Sequence, residues 1–279
     1  MEHETSSLAM RSRVESVAMR DRGSWTHSLR RGEFVLALAA IVAVWQMVSV
    51  SVNNKTLVPP PLLVLDAWIG LWAAELPGDI LASLVHLGVG YGLGIAAGLA
   101  LALLAARFLL FEAIIDPMVE ILRPISAIAW IPIAILMFGI GRGVPIFLIF
   151  YAAIFPVFIN TLAGIKQVDP HLLQAAQMLG ASRRMIVTHV VMPAALPLIL
   201  AGARLSLGVA WMAMVAGELT GADSGLGWRI FWYQEFFAMD KVMAVILTIG
   251  ILGYILDTLL RWLQARITRW SQDGSEAGR

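Results

Sequence analysis

Gln174-Ala175-Ala176-Gln177-Met178-Leu179-Gly180-Ala181-Ser182-Arg183-Arg184, running on to Val190-Val191-Met192-Pro193, is the stretch on which the fold of this 279-residue chain turns. It predicts a helix, a glycine-permitted turn and a second amphipathic helix stopped by proline. Asp169-Pro170 opens the first helix, the aspartate as N-cap and the proline at the first helical position. Ala175 and Ala176 are small enough for a close backbone approach, and Arg183 and Arg184 offer charge to a partner. A knob of this kind suits docking into a cleft on a soluble protein.

On both sides of the knob the chain is apolar. Hydrophobic residues make up 59% of it and charged residues 14%, against roughly 45–50% and 25% in soluble domains. A soluble chain of this length could not cover that surface, so the bilayer is its partner. The net charge of +1 gives no case for nucleic acid. The absence of cysteine excludes disulfides, thiolate metal sites and cysteine nucleophiles.

Runs without Asp, Glu, Lys or Arg cover 34–54, 80–106, 124–141, 143–165, 185–203 (continuing past Arg204 to 217) and 242–256. A helix needs roughly 20 apolar residues to cross the hydrocarbon. Six spans are predicted, at about 34–52, 80–106, 112–138, 144–164, 195–218 and 240–262. The third carries Asp116, Pro117, Glu120, Arg123, Pro124 and Pro132, so it cannot be one clean helix in lipid. With both termini cytoplasmic, fourteen Lys and Arg fall inside and only Lys55, Arg142, Arg229 and Lys241 outside, which sets the orientation.

The organisation that follows is a cytoplasmic arm over 1–33, a membrane domain over 34–270 with a cytoplasmic loop at about 166–193, and a cytoplasmic tail over 271–279. Arg30-Arg31 before an apolar run is the shape of a twin-arginine export signal. That run is long enough to span and no small-residue cleavage site follows, so it reads as an uncleaved first span. Pro59-Pro60-Pro61 forces an extended entry, and Trp68 and Trp72, four apart, predict a short helix on the outer surface. Trp68, Trp72, Trp228, Trp232, Trp262 and Trp270 flank apolar runs, as interfacial rings do, whereas Trp130 and Trp211 lie inside runs and read as core.

The knob resembles the EAA loop of binding-protein-dependent ATP-binding-cassette (ABC) importer permeases, whose pattern is E-A-A, three residues, G, nine residues, I-x-L-P. Ala175, Ala176, Gly180 and Pro193 fall at that spacing, with Val190 and Met192 as apolar replacements. Gln174 stands where the family has Glu; it can still accept a hydrogen bond but makes no salt bridge. The resemblance runs from Leu57 to Trp270 and includes Leu122-Arg123-Pro124-Ile125, Ala129-Trp130-Ile131-Pro132-Ile133 and Gly202-Ala203-Arg204-Leu205-Ser206-Leu207-Gly208. These segments are similar to the nitrate, sulfonate, taurine and bicarbonate group.

The resemblance implies an all-α membrane protein with the type I importer permease fold in the cell inner membrane. It implies a dimer, usually of identical chains, with a pore between them. Two ATPase subunits, which bind ATP and Mg, dock on the loops, here through Gln174, Ala175, Ala176, Gly180, Ala181, Arg183, Arg184 and Pro193. An extracytoplasmic solute-binding protein delivers solute from the other side. The solute it implies is a small anion, aliphatic sulfonate or taurine first, with nitrate, bicarbonate or an uncharged heterocycle on much the same scaffold.

The residues themselves carry no catalytic site and no cofactor. There is no Gly-Lys-Ser or Gly-Lys-Thr to hold phosphates, no metal-ligand spacing among the five histidines, and no nucleophile elbow. A self-contained secondary transporter would show inverted repeats and coupling acids at mid-membrane, and neither is visible. A non-transporting scaffold using the loop only for docking is a third reading.

Within the spans, Gly90, Gly94 and Gly98 form a small-residue stripe for helix packing, with a gating hinge as the alternative. Arg204 is either an attractor for an anion or a structural group that pairs with Asp116 or Glu120 or reaches the interface. Glu218 reads as an anchor at the outer edge. Pro124, Pro132 and Pro156 free backbone groups that must be satisfied, and with Trp130, Asn160, Thr161 and Arg204 they are the pathway candidates.

Overall fold

A chain that is apolar nearly all round has to satisfy its backbone internally, and helices do so within one segment. The computed structural model describes residues 36–54 and 56–268, and among them there is no strand. The arm, the tail and Arg30-Arg31 lie outside the described residues. The chain divides into two units, residues 1–65 and 66–279.

In the first unit, α1 (Leu36–Val52) is an apolar helix. The chain then turns at Asn53, whose φ is +48°. Asn54 Oδ1 accepts from the amides of Thr56 and Leu57. The returning strand of chain is tied to α1 by Trp45 Nε1 donating to Pro59 O (3.1 Å) and Ser49 Oγ donating to Val58 O (2.8 Å). The triple proline then feeds α2 (Pro61–Trp72), the short tryptophan helix that the sequence predicts.

The second unit is built on three long helices: α3 (Leu76–Arg107), α6 (Gly143–Lys166) and α9 (Met192–Gly221), with α6 packed along both of the others. Between α3 and α6 lie α4 (Leu109–Leu122), a short 3-10 turn (Ala127–Trp130) and α5 (Ile131–Phe138). After α9 come α10 (Leu226–Glu235) and α11 (Met239–Ile267). Lipid gives helices little hydrophobic reason to associate, so close packing has to supply the attraction. The glycine stripe of α3 does this. A Cβ at Gly90 would lie 2.7 Å from Ile146 O, one at Gly94 2.7 Å from Ala153 Cβ, and one at Gly98 2.8 Å from Ile154 O. Gly88 and Gly92 have nothing within 4 Å, so the contact face is the four-residue repeat alone. Leu87, Ile149, Ala153, Leu207, Ala210 and Met214 then form a core that joins all three helices, with Trp211 packed against it.

Among the described residues four helices are long and apolar enough to cross a bilayer, and the bent pair of α4 with Ala127–Phe138 makes a fifth crossing if counted as one. The third predicted span is therefore broken, turning by 90° at residues 123–126. Pro124 lacks an N–H, so Glu120 O loses its helical donor there. The fifth predicted span is longer than the sequence suggests, because helix runs without interruption from Arg183 to Gly221. Pro193 does not stop the second helix of the knob. The preceding residues, Val187–Val191, form a π turn in which Met192 N–H donates to Val187 O. That wider turn takes up the carbonyl of His189, with which the proline ring would otherwise collide.

Candidate functional site

The knob is assembled from α7 (Pro170–Met178), α8 (Arg183–Ile186) and the π turn. Asp169 Oδ1 accepts from His171 N (2.8 Å), which confirms the N-cap. At the other end the sequence puts glycine where a left-handed residue is needed, and Gly180 has φ +74°. Ala181 N–H donates to Ala176 O (3.0 Å) and Gly180 N–H to Gln177 O (2.9 Å), the paired bonds of a Schellman motif. Ser182 then caps α8 by accepting from Met185 N (3.3 Å). This two-sided capping fixes the turn and leaves Met178 and Leu179 at its tip, 89% and 88% exposed. Two large apolar side chains held in the open by a capped turn form a plug without a socket. The sequence reading placed charge and small residues in the knob and missed this apolar tip.

A second constellation is wholly buried. The Glu218 carboxylate on α9 accepts from Ser83 Oγ (2.8 Å) and Gly227 N (3.0 Å), and His86 Nδ1 lies 2.8 Å from its other oxygen. Ser83 Oγ in turn accepts from Leu226 N (2.9 Å). The carboxylate thus ties the first turn of α10 to α3 and α9, the anchoring role expected of it. Ser83, His86 and Glu218 are all fully buried, and His86 Nε2 has no partner among the described residues. Beside this clamp, Arg229 on α10 bridges Asp79 (Nε to Oδ2, 2.5 Å) and Glu75 (3.0 Å). Tyr233 O–H donates to Glu75. Burial first, and the hydrogen bond to Glu75 second, push the Tyr233 phenol above its ordinary value.

Arg204 pairs neither with Asp116 nor with Glu120. Its Nε lies 2.9 Å from Asp257 Oδ1 on α11, and Arg261 binds the other carboxylate oxygen at 3.2 Å. The hairpin of α9, α10 and α11 returns Asp257 to the level of Arg204, a pairing across 53 residues. Among the other pathway candidates, Thr161 is fully buried and its hydroxyl has no partner among the described residues. Asn160 Nδ2 donates to Pro156 O (2.8 Å), and its Cβ fills the notch left by Gly202. Trp130 is half-buried, its ring 5.4 Å from Tyr151.

None of these four lines the cavity that opens at the broken span. That cavity is about 400 Å3, bounded by Arg123, Ser126, Ile128, Tyr151, Phe155 and Met212 among others. Tyr151 O–H donates to Leu122 O (2.7 Å), pinning the last turn of α4 to α6. A second cavity of about 300 Å3 continues from Arg123 past Glu120 and Asp116 to Lys166. Among the described residues no three His, Cys, Asp or Glu side chains are grouped to hold a metal ion.

A model of the family described as binding-protein-dependent transport system inner membrane component matches residues 94–269. The chain is 37% identical over 248 residues to the taurine transport system permease protein TauC of Escherichia coli, covering 84% of this chain and 87% of that protein. It is 28% identical over 258 residues to the nitrate import permease protein NrtB of Synechococcus elongatus, covering 87% and 92%. Among solved structures, a chain from the inward-facing MetNI methionine ABC transporter superposes with a TM-score of 0.56 at 23% identity. The match covers 69% of this chain and 94% of that one, and shows a shared fold.

Proposed function

The chain belongs to the family of binding-protein-dependent transport system inner membrane components, and on that premise we propose that it carries a small sulfonate anion, taurine or another short aliphatic sulfonate. It is a multi-pass inner-membrane permease subunit of an ABC importer, and ATP hydrolysis belongs to a separate ATPase partner. In the arrangement proposed, two copies of the chain enclose the pore with their termini in the cytoplasm. Two ATPase subunits seat on the knobs, and an extracytoplasmic binding protein delivers solute. The observation that carries the coupling role is the capped knob with Met178 and Leu179 in the open. Gln174, Ala175 and Ala176 give α7 its close-packing side, Gly180 and Ala181 its turn, and Arg183 and Arg184 the flanking charge. Pro193 sits where the π turn joins the knob to α9, so a push on the knob is delivered to α9. A closing ATPase dimer favours one pore state only if it binds the knobs better in that state. The identity to the taurine permease over most of both chains supports a sulfonate as solute.

The test is reconstitution of the chain with its ATPase and binding protein in liposomes, with radiolabelled taurine and nitrate as alternative solutes. ATP-dependent taurine uptake that a Leu179→Asp change abolishes, together with ATPase binding, is the expected result. Uptake of nitrate with taurine ignored would overturn the solute. ATPase binding undisturbed by Leu179→Asp would overturn the docking role.

A further inference from the structure

An arginine stays charged at any physiological pH, so its placement inside a span demands a partner or water. Arg123 is such a residue. Capping the end of α4, it follows Glu112, which pairs with Lys166 at the end of α6, by eleven positions. On α6 the contact with the end of α4 is Tyr151, fifteen residues before Lys166 and eight after Gly143. At 1.5 Å per helical residue the break therefore lies roughly 16–23 Å from the Glu112–Lys166 pair and about 12 Å from the far end of α6. A hydrocarbon core is about 30 Å thick, so Arg123 is inside it. The other interior cation, Arg204, is neutralised by Asp257. Arg123 forms no ion pair among the described residues, and it lines both cavities at the break.

We propose that the broken span at residues 123–126 forms an anion subsite on the solute pathway, with the Arg123 guanidinium holding the oxyanion and the Ser126 hydroxyl donating to it. This rests on the reading of the solute as a sulfonate and locates where that solute touches the chain. The remaining walls, Ile128, Phe155, Val209 and Met212, are apolar, which suits the short hydrocarbon part of a sulfonate better than a fully hydrated inorganic ion. Conduction requires that such a site release what it holds. The structure supplies the means, since Glu120 and Asp116 line the second cavity, whose Lys166 is already paired with Glu112, and repel an anion that lingers beside Arg123. One fixed cation between an apolar chamber and an acidic one makes a transient site.

The chain has no cysteine, so one introduced thiol reports on the cavity without background from this chain. The complete transporter carrying Ser126→Cys is treated with an anionic ethylsulfonate methanethiosulfonate and with its cationic ethylammonium counterpart, with and without ATP. Labelling of this chain is read by mass, each rate being scaled to that of a free thiol. A guanidinium a few ångströms away should favour the anionic reagent by about tenfold or more. Adding Arg123→Gln should bring the ratio near one, Arg123→Lys should retain it, and taurine should slow labelling. A ratio near one with Arg123 in place, a ratio indifferent to Arg123→Gln, or a thiol inert to both reagents in every state would each overturn the subsite. A transporter that shows the ratio but carries no sulfonate keeps the anion site and overturns the solute. One that carries taurine without the ratio keeps the solute and overturns this site.

Discussion

Substituting Gly180 separates backbone conformation from bulk at the knob. Its φ of +74° lies in the left-handed region, and a Cβ built there has no atom within 4 Å. A side chain at this position therefore meets no collision, and the whole effect is conformational. For an ordinary residue the left-handed conformation costs roughly 1–2 kcal/mol, whereas asparagine tolerates it. Relaxing to negative φ would break the Ala181–Ala176 and Gly180–Gln177 bonds that present Met178 and Leu179. If the docking-competent turn loses that much stability, ATPase affinity falls by the same free energy, roughly 5- to 30-fold for Gly180→Ala. Gly180→Asn should stay within about threefold of the original, and Gly180→Val, β-branched and stiffer, should be the worst. The assay is the dissociation constant of the purified ATPase for each variant in nanodiscs, followed by ATP-driven uptake. Equal affinity for glycine and valine variants would refute the reasoning. So would an order that follows side-chain volume, with asparagine worse than alanine.

Two further expectations concern the α3–α9–α10 corner. Glu218→Ala leaves Ser83, His86 and Gly227 without their acceptor in a fully buried corner, at about 1–3 kcal/mol for each group. Its thermal unfolding midpoint in detergent should drop well below that of Glu218→Gln, which keeps an acceptor, and an unchanged midpoint would contradict the clamp. The Tyr233 phenol is held above the ordinary tyrosine value of about 10, so its contribution is complete below pH 10 and is lost as pH rises from there through the raised native value. The original chain should therefore lose stability above about pH 10 more steeply than Tyr233→Phe. Parallel alkaline melting curves for the two would remove that group from the account.

The placement of glycines shows how far one-dimensional pattern reaches. The four-residue repeat on α3 was legible because helical period is fixed, so Gly90, Gly94 and Gly98 had to share a face. Gly180 was legible because little else suits a helix C-terminus followed at once by the Ser182 cap. Arg204 was not, since spacing says nothing of which distant acid a hairpin of helices brings alongside, and Asp116 and Glu120 were merely nearer in sequence. Spacing was equally silent on which pathway candidates border the cavity at the broken span, where Pro156 does and Asn160 and Thr161 do not. Thr161 and Asn160 are polar residues in an apolar span, but polarity does not say which face of α6 meets α9 and which meets the cavity.

Its residues alone determined a bundle of lipid-embedded helices with a capped knob, because bilayer thickness, helical period and the φ of a turn act on local sequence. The break at Arg123, the continuity of the helix from Arg183 to Gly221 and the pairing of Arg204 with Asp257 were settled only in three dimensions. Each depends on how one helix relieves the unsatisfied backbone or charge of another, an energy that exists only once the two are side by side.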